Sequence, residues 1–429
     1  MNSTNLALIA ASMITAFMTL IMTKKVSPVV ALILIPSLFG LFVASPTDLG
    51  KWMSMGIKDI ANTGVMLTFA ILYFCTMIEV GLFKPLVNKV LGLVKGDPVK
   101  VLVGTALLSI LVSLDGDGST TYLIVVSAML PLYKQLNISP LKLTTIIMLA
   151  GGVLNMHLPW AGPTARVMSA LKLGGDQVFL PLTVCMVAGC LWVLAVAYWF
   201  GLQERKKHNA QQMEMVELLD TDTTLPKFYW LNLLLTLILM VALLSNVLPI
   251  SVLFMLGFAL AMLINFPKIE DERARINEYA GNALSVAAMV FAAGIFTGIT
   301  KESGMLKALG DAFTHIIPSV LGSNLSLLTA FASMPFTFFM SNDGFYFGVL
   351  PTLSEAAANY GISTAEMARA SLLGQPVHLL SPLVPSTYLL VGLAGVEFSD
   401  HLKHTLKWAI GTVVVMTFVA LLTGIIYIR

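Results

Sequence analysis

Two short polar strings interrupt an otherwise apolar chain, and their residue types suit ion chemistry. The first covers residues 113–122, Ser-Leu-Asp-Gly-Asp-Gly-Ser-Thr-Thr-Tyr, with Asp115, Asp117 and a hydroxyl run Ser119, Thr120 and Thr121. The second is Met-Ser-Asn-Asp-Gly at 340–344, with Ser341, Asn342 and Asp343. Carboxylates, hydroxyls and glycine-exposed backbone carbonyls are hard oxygen ligands of the Mg²⁺ or Ca²⁺ class, and carboxylates also take up protons. Amides at a helix N-terminus attract anions instead. Two further strings break apolar runs with proline and glycine. One carries Asn155, His157, Gly162, Pro163, Thr164 and Arg166; the other carries His378, Ser386 and Thr387. Proline and glycine so closely spaced cannot stay helical, and the freed carbonyls can meet a cation. Arg166 suits bidentate carboxylate binding or an ion pair with a buried acid. His157 and His378 are either proton carriers or hydrogen-bonded core residues.

The surrounding chain places these strings inside a membrane. Of 429 residues, 57% are hydrophobic and only 11% charged, against about 25% charged in a soluble domain. Mean hydropathy is +0.87. The expected fold is an all-α polytopic membrane protein. Cys75, Cys185 and Cys190 lie in apolar runs, so they are expected only to pack, as is the Met and Phe content. The net charge of +2 indicates no particular partner, and no nucleic acid is expected. The apolar runs 101–112 and 123–132 are each shorter than the ~20 residues that span a bilayer. With the acids between them they read as a re-entrant hairpin, because charge at that depth must line a cavity or be buried in protein.

The halves on either side of the polar stretch 203–226 repeat the same landmarks. Glu79-Val80-Gly81 answers Glu302-Ser303-Gly304, and Asp117-Gly118 answers Asp343-Gly344. The breaks near His157 and His378 answer each other, with spacing that drifts by a few residues. Repeats with interrupted helices at matching places mark a secondary transporter and point to its site. The expected organisation is a first repeat over 1–202, with hairpin 101–136 and broken helix 143–171. A cytoplasmic linker follows at 203–226, then a second repeat over 227–429 with hairpin 325–360 and broken helix 367–396. Each repeat has about five transmembrane helices plus one hairpin. With both termini outside, most Lys and Arg fall on the cytoplasmic side, and the repeats are inverted.

The strings Leu-Val-Ser-Leu-Asp-Gly-Asp-Gly-Ser-Thr-Thr-Tyr at 111–122 and Gly-Pro-Thr-Ala-Arg at 162–166 closely resemble the citrate–metal–proton symporter family of the ion transporter superfamily. So do Pro131-Leu-Tyr-Lys134, Asn155-Met, Pro159-Trp160, Val94-Lys-Gly-Asp-Pro98 and the run from Gly64 to Phe74. The resemblance implies import of citrate, or a related di- or tricarboxylate, as a divalent-metal complex driven by protons. It also implies a homodimer of elevator type, with scaffold and transport domains, in a bacterial-type inner (plasma) membrane. On this reading the protein is not an enzyme and holds no permanent cofactor. Ser119, Thr120, Asn155, Gly162, Pro163, Thr164, Arg166, Ser341, Asn342, Ser386 and Thr387 are the candidate substrate residues. Asp115, Asp117, Asp343, His157 and His378 are the candidates for metal or proton. The other readings are a cation/proton antiporter without an organic anion and a Na⁺-coupled dicarboxylate transporter.

Overall fold

The computed structural model describes residues 3–23, 25–94, 97–116, 118–208, 225–245, 248–316, 319–339, 342–381 and 384–429. Asp117 and Ser341 lie outside the described residues. Among those described there are helices and no strands. The first half runs α1 (Ser3–Met22), α2 (Pro28–Gly40), α3 (Pro46–Glu79), α4 (Lys84–Val94), α5 (Pro98–Val112), α6 (Gly118–Gln135), α7 (Pro140–Val153), α8 (Gly162–Leu171) and α9 (Gly175–His208). The second runs α10 (Tyr229–Ser245), α11 (Ile250–Asn265), α12 (Ile269–Glu302), α13 (Met305–Ile316), α14 (Ser319–Gly322) and α15 (Leu325–Phe339). A π-helical turn Gly344–Val349 then leads into α16 (Leu350–Ala358), α17 (Thr364–Leu373), α18 (Gln375–His378), α19 (Pro385–Ala394) and α20 (Phe398–Leu422).

Prolines and polar caps set many of these starts. Pro28, Pro46, Pro98 and Pro140 each open a helix, where their missing N–H costs nothing. Ser27, Ser45, Asp97 and Ser363 cap from the preceding position by accepting a backbone N–H, satisfying a donor that the helix itself cannot.

Some landmarks recur at one spacing, whereas the hairpin arms α5 and α15 drift from it, starting 227 apart, 325 less 98. Helices α3 and α12 are both 34 residues long and start 223 positions apart, 269 less 46. Helices α8 and α19 are both 10 residues long at that offset. Left-handed residues also recur there, Gly81 (φ 77°) with Gly304 (φ 75°) and Lys172 (φ 54°) with Gly395 (φ 67°). The expected drift in spacing is therefore absent at the breaks. The constant offset sets His378 opposite Asn155, not opposite His157.

Four described helical runs are long and apolar enough to cross a membrane: Pro46–Glu79, Pro98–Asp115, Gly175–Lys207 and Phe398–Leu422. A fifth is the pair Ile269–Gly281 and Val286–Glu302, bent by 52°, taken as one span. The first arm of the expected hairpin thus reaches further than its apolar run. Pro98 starts it earlier, and a 3₁₀ turn Ser113–Asp115 carries it on to the acid.

Two groups of helices follow from the packing. Helices α1, α2 and α11 gather around the long pair α3 and α12, α5–α9 pack with α15–α20, and α13 lies between the groups, against α1 and α16. The α3–α12 crossing is made of glycine. A Cβ on Gly56 would run into the Gly294 carbonyl and come within 2.8 Å of Gly298 Cα. Small residues let helix backbones approach this closely in a membrane.

Candidate functional site

A cavity of about 660 Å³ lies between the first polar tip, the start of α8 and the facing sides of α3 and α12. That is within the range of small-molecule sites, ~300–1,000 Å³. Asp115, Gly116, Ser119, Thr120, Gly162 and Arg166 supply its polar side. Ile71, Phe74, Cys75, Ile78, Trp160, Val286, Val290 and Phe347 supply the apolar side.

The tip owes its shape to Gly116, whose φ of 80° is left-handed, a region open to glycine without strain. A Cβ there would lie 2.7 Å from Trp160 Cδ1. Trp160 braces the turn, since its Nε1–H donates to the Leu114 carbonyl at 3.1 Å. Its ring is packed by Phe74 and Phe254, with centroids 5.5 and 4.9 Å away. Asn155 ties the tip from the other side. With its amide oriented so that both ends find complements, Nδ2 donates to the Ser113 carbonyl (2.6 Å) and Oδ1 accepts from Gly118 N–H (3.3 Å). Asp115 is buried, at 7% exposure.

The breaks are bridged rather than open. Thr164 Oγ1 donates to the Met156 carbonyl at 3.0 Å, eight residues back. Thr387 Oγ1 does the same with the Leu379 carbonyl, again eight residues back. Both threonines are fully buried. Each hydroxyl satisfies a carbonyl that the broken helix leaves without its usual N–H. Pro163 sits buried in the first turn of α8. Ser386, partly buried, holds the corresponding place in α19.

The second tip meets the second break through paired amides. Gln375 Nε2 donates to Asn342 Oδ1 at 3.0 Å and to the Tyr346 hydroxyl at 2.6 Å. His378 Nδ1 lies 2.6 Å from the Thr337 carbonyl, and Ser381 Oγ donates to the Phe338 carbonyl at 2.6 Å. These two satisfy carbonyls at the end of α15. His157 Nδ1 lies 2.9 Å from the Val153 carbonyl at the end of α7. Both histidines are therefore hydrogen-bonded inside the protein, each with Nδ1 as the donor. Equivalent positions do equivalent work, because Asn155 and His378 both fasten a break to the neighbouring hairpin.

Arg166 joins the two halves of the site. Its Nε donates to Asp343 Oδ1 at 2.6 Å, with Asp343 only 9% exposed at its side chain. Gly162 leaves room for the guanidinium, since a Cβ there would lie 2.9 Å from Arg166 Nη1. One edge of the fork is held by Asp343, and the two terminal nitrogens are the pair that a carboxylate takes side by side. Among the described residues no group of three or more His, Cys, Asp and Glu is placed to hold a metal ion.

The model of the family described as citrate transporter matches residues 17–374. The chain belongs to the citrate transporter family. It is 54% identical to a Bacillus subtilis (strain 168) protein named citrate transporter, over 98% of this chain and 99% of that one. It is 46% identical, over 99% of each, to the Mg²⁺/citrate complex secondary transporter of the same organism. The YdaH transporter of Alcanivorax borkumensis, whose crystal structure was described as an unusual topology, superposes with a TM-score of 0.62 over 98% of each chain. At 11% identity that likeness shows the fold alone. Membership places the chain among membrane transporters, not enzymes.

For this citrate transporter family member, some contributors lie outside the polar strings. Phe74 and Phe347 line the cavity, which corrects the expectation that phenylalanine is only lipid-facing or packing surface. Cys75 lines it too. Gln375, Tyr346 and the Thr337 carbonyl fasten the second tip. Gln375, a polar residue beside Pro376 in an apolar run, carried a signal that pointed to this role.

Proposed function

We propose that the chain imports citrate, or a closely related carboxylate, as its complex with a divalent cation of the Mg²⁺ or Ca²⁺ class. The observation that carries this reading is Arg166 at the wall of a cavity that also holds Asp115 and the Ser119 and Thr120 hydroxyls. Asp343 already neutralises the guanidinium, and Asp115 adds a negative charge. A bare citrate trianion would meet that charge, whereas its magnesium complex brings a cation to it. Magnesium keeps several waters and takes only one or two protein carboxylates, which fits a site with few acids. The names of the two Bacillus relatives support citrate and magnesium as cargo.

In this reading the terminal nitrogens of Arg166 take one citrate carboxylate. Ser119 and Thr120 take another, and Asp115 with Asp117 faces the cation or loads a proton. Asn155, Gly162, Pro163, Thr164, Ser341, Asn342, Ser386 and Thr387 shape the two tips and breaks around the cargo. Asp343 leaves Arg166 for the proton or the metal when cargo binds. His157 and His378 fix helix ends. The two halves, 1–202 and 227–429, are inverted repeats joined by a cytoplasmic linker at 203–226; the offset of 223 that α3 with α12 and α8 with α19 share supports the repeat. The group built on α3 and α12 is the scaffold. The group holding the tips and breaks is the transport domain, which moves as an elevator within a homodimer in the plasma membrane with both termini outside.

Uptake of labelled citrate into proteoliposomes tests the reading, with Mg²⁺ present, with Mg²⁺ removed by a chelator, and with a proton gradient imposed or collapsed. Uptake that needs both metal and gradient is the expected result. Citrate uptake indifferent to divalent cations overturns the complex as cargo.

A further inference from the structure

A second cavity, of about 170 Å³, lies beyond the first, where α1, α8, α12, α13 and α16 meet. Phe347 lines both cavities. It is almost wholly buried, at 1% exposure, and lies within the π-helical turn Gly344–Val349. Such turns distort a helix locally and are frequent at functional sites. Phe347 stands four positions after Asp343, the acid that holds Arg166. Helix α8 also lines both spaces. Arg166 and Ala165 face the first, while Ala170, Leu171 and Lys172 reach the second. Its charged lining residues are Lys172, Lys301 and Glu355, and Lys172 is ion-paired with Asp59. Lys301 and Thr364 at its edge are exposed, so this space reaches the protein surface.

We propose that Phe347 is a gate: its ring closes the cargo cavity on the Lys301 side, and a carboxylate passes between the two spaces only when that ring turns aside. The second cavity is then the antechamber of the gate. The partition itself rests on geometry alone. Only the identity of what passes rests on the function proposed above.

Cys75 lines the cargo cavity and provides a native reporter. With Cys185 and Cys190 replaced by serine, Cys75 is labelled in sealed vesicles by a membrane-impermeant thiosulfonate added to one face at a time. Lys301→Cys in a separate cysteine-free chain reports which face carries the antechamber. With Phe347 intact, Cys75 is expected to react more slowly from the Lys301 face than from the other. Phe347→Ala should open Cys75 to the Lys301 face, and Phe347→Trp should keep it shut. Retained labelling from the other face shows that the alanine variant is folded. Cys75 in the intact chain reacting equally fast from both faces overturns the gate, and so does a Phe347→Ala chain no faster from the Lys301 face than its parent. The labelling needs no citrate, so failure of magnesium–citrate to protect Cys75 counts against the proposed cargo and leaves the gate standing.

Discussion

Nε of Arg166 lies 2.6 Å from Oδ1 of Asp343, a residue 177 positions away in the chain. The pair fastens α8, just past the first break, to the second polar tip. It therefore ties an element of the first half of the chain to one of the second. Removing one member of a buried ion pair leaves the other charge uncompensated, at a cost of ~3–5 kcal/mol. Asp343→Asn keeps the shape and removes the charge. We expect it to lower the unfolding midpoint and abolish citrate uptake, and Arg166→Lys, which cannot form the fork, to abolish uptake with a smaller loss of stability. Thermal unfolding in detergent beside proteoliposome uptake checks both; normal uptake by Arg166→Lys refutes the carboxylate role.

Thr164 and Thr387 should behave alike because they make the same bond. Thr164→Val or Thr387→Val strands a buried carbonyl, at ~1–3 kcal/mol. Serine keeps the hydroxyl and should restore most of the stability. A valine variant as stable as its parent at either position would show that the bridge is not needed.

Asn155 holds the first tip through two backbone groups. Asn155→Ala frees both, so a stability loss of ~1–3 kcal/mol is expected. A tip no longer tied down should also weaken the apparent citrate affinity more than the maximal rate. Asn155→Asp keeps the acceptor for Gly118 but sets a carboxylate against the Ser113 carbonyl, and should be worse than alanine. Concentration-dependent uptake separates affinity from rate.

Cys75 should report occupancy. Magnesium–citrate filling the cavity is expected to slow alkylation of Cys75 by a small maleimide, in a chain with Cys185 and Cys190 replaced by serine. Magnesium alone and citrate with chelator should protect less. Equal labelling rates in all conditions would place the cargo elsewhere.

The breaks and tips were legible in the sequence because glycine, proline and carboxylates are costly inside a membrane helix. Asp115, Arg166 and Pro163 stand out against an apolar background for that reason. Pairing was not legible. Nothing local to Arg166 selects Asp343 over Asp115, and the choice depends on how α8 meets the second hairpin. The apolar wall was hidden for the opposite reason: Phe74, Val286 and Phe347 have the same composition as lipid-facing residues. Only the packing of α3, α12 and the turn Gly344–Val349 against one another and α8 turns them toward a cavity. The equal spacing of the two breaks was blurred by matching like residues, His157 with His378. The chain matches by position, so that an asparagine and a histidine share a duty.

The threonine bridges have a consequence for how the site travels. A helix interrupted by proline and glycine would ordinarily bend at the gap. Here a side chain spans each gap to a fixed carbonyl, so its width is set by a bond length rather than by backbone flexibility. The polar openings therefore behave as rigid frames. On the proposed elevator reading, a seat framed in this way keeps its dimensions as it crosses the membrane, and the motion falls where the frames meet α3 and α12.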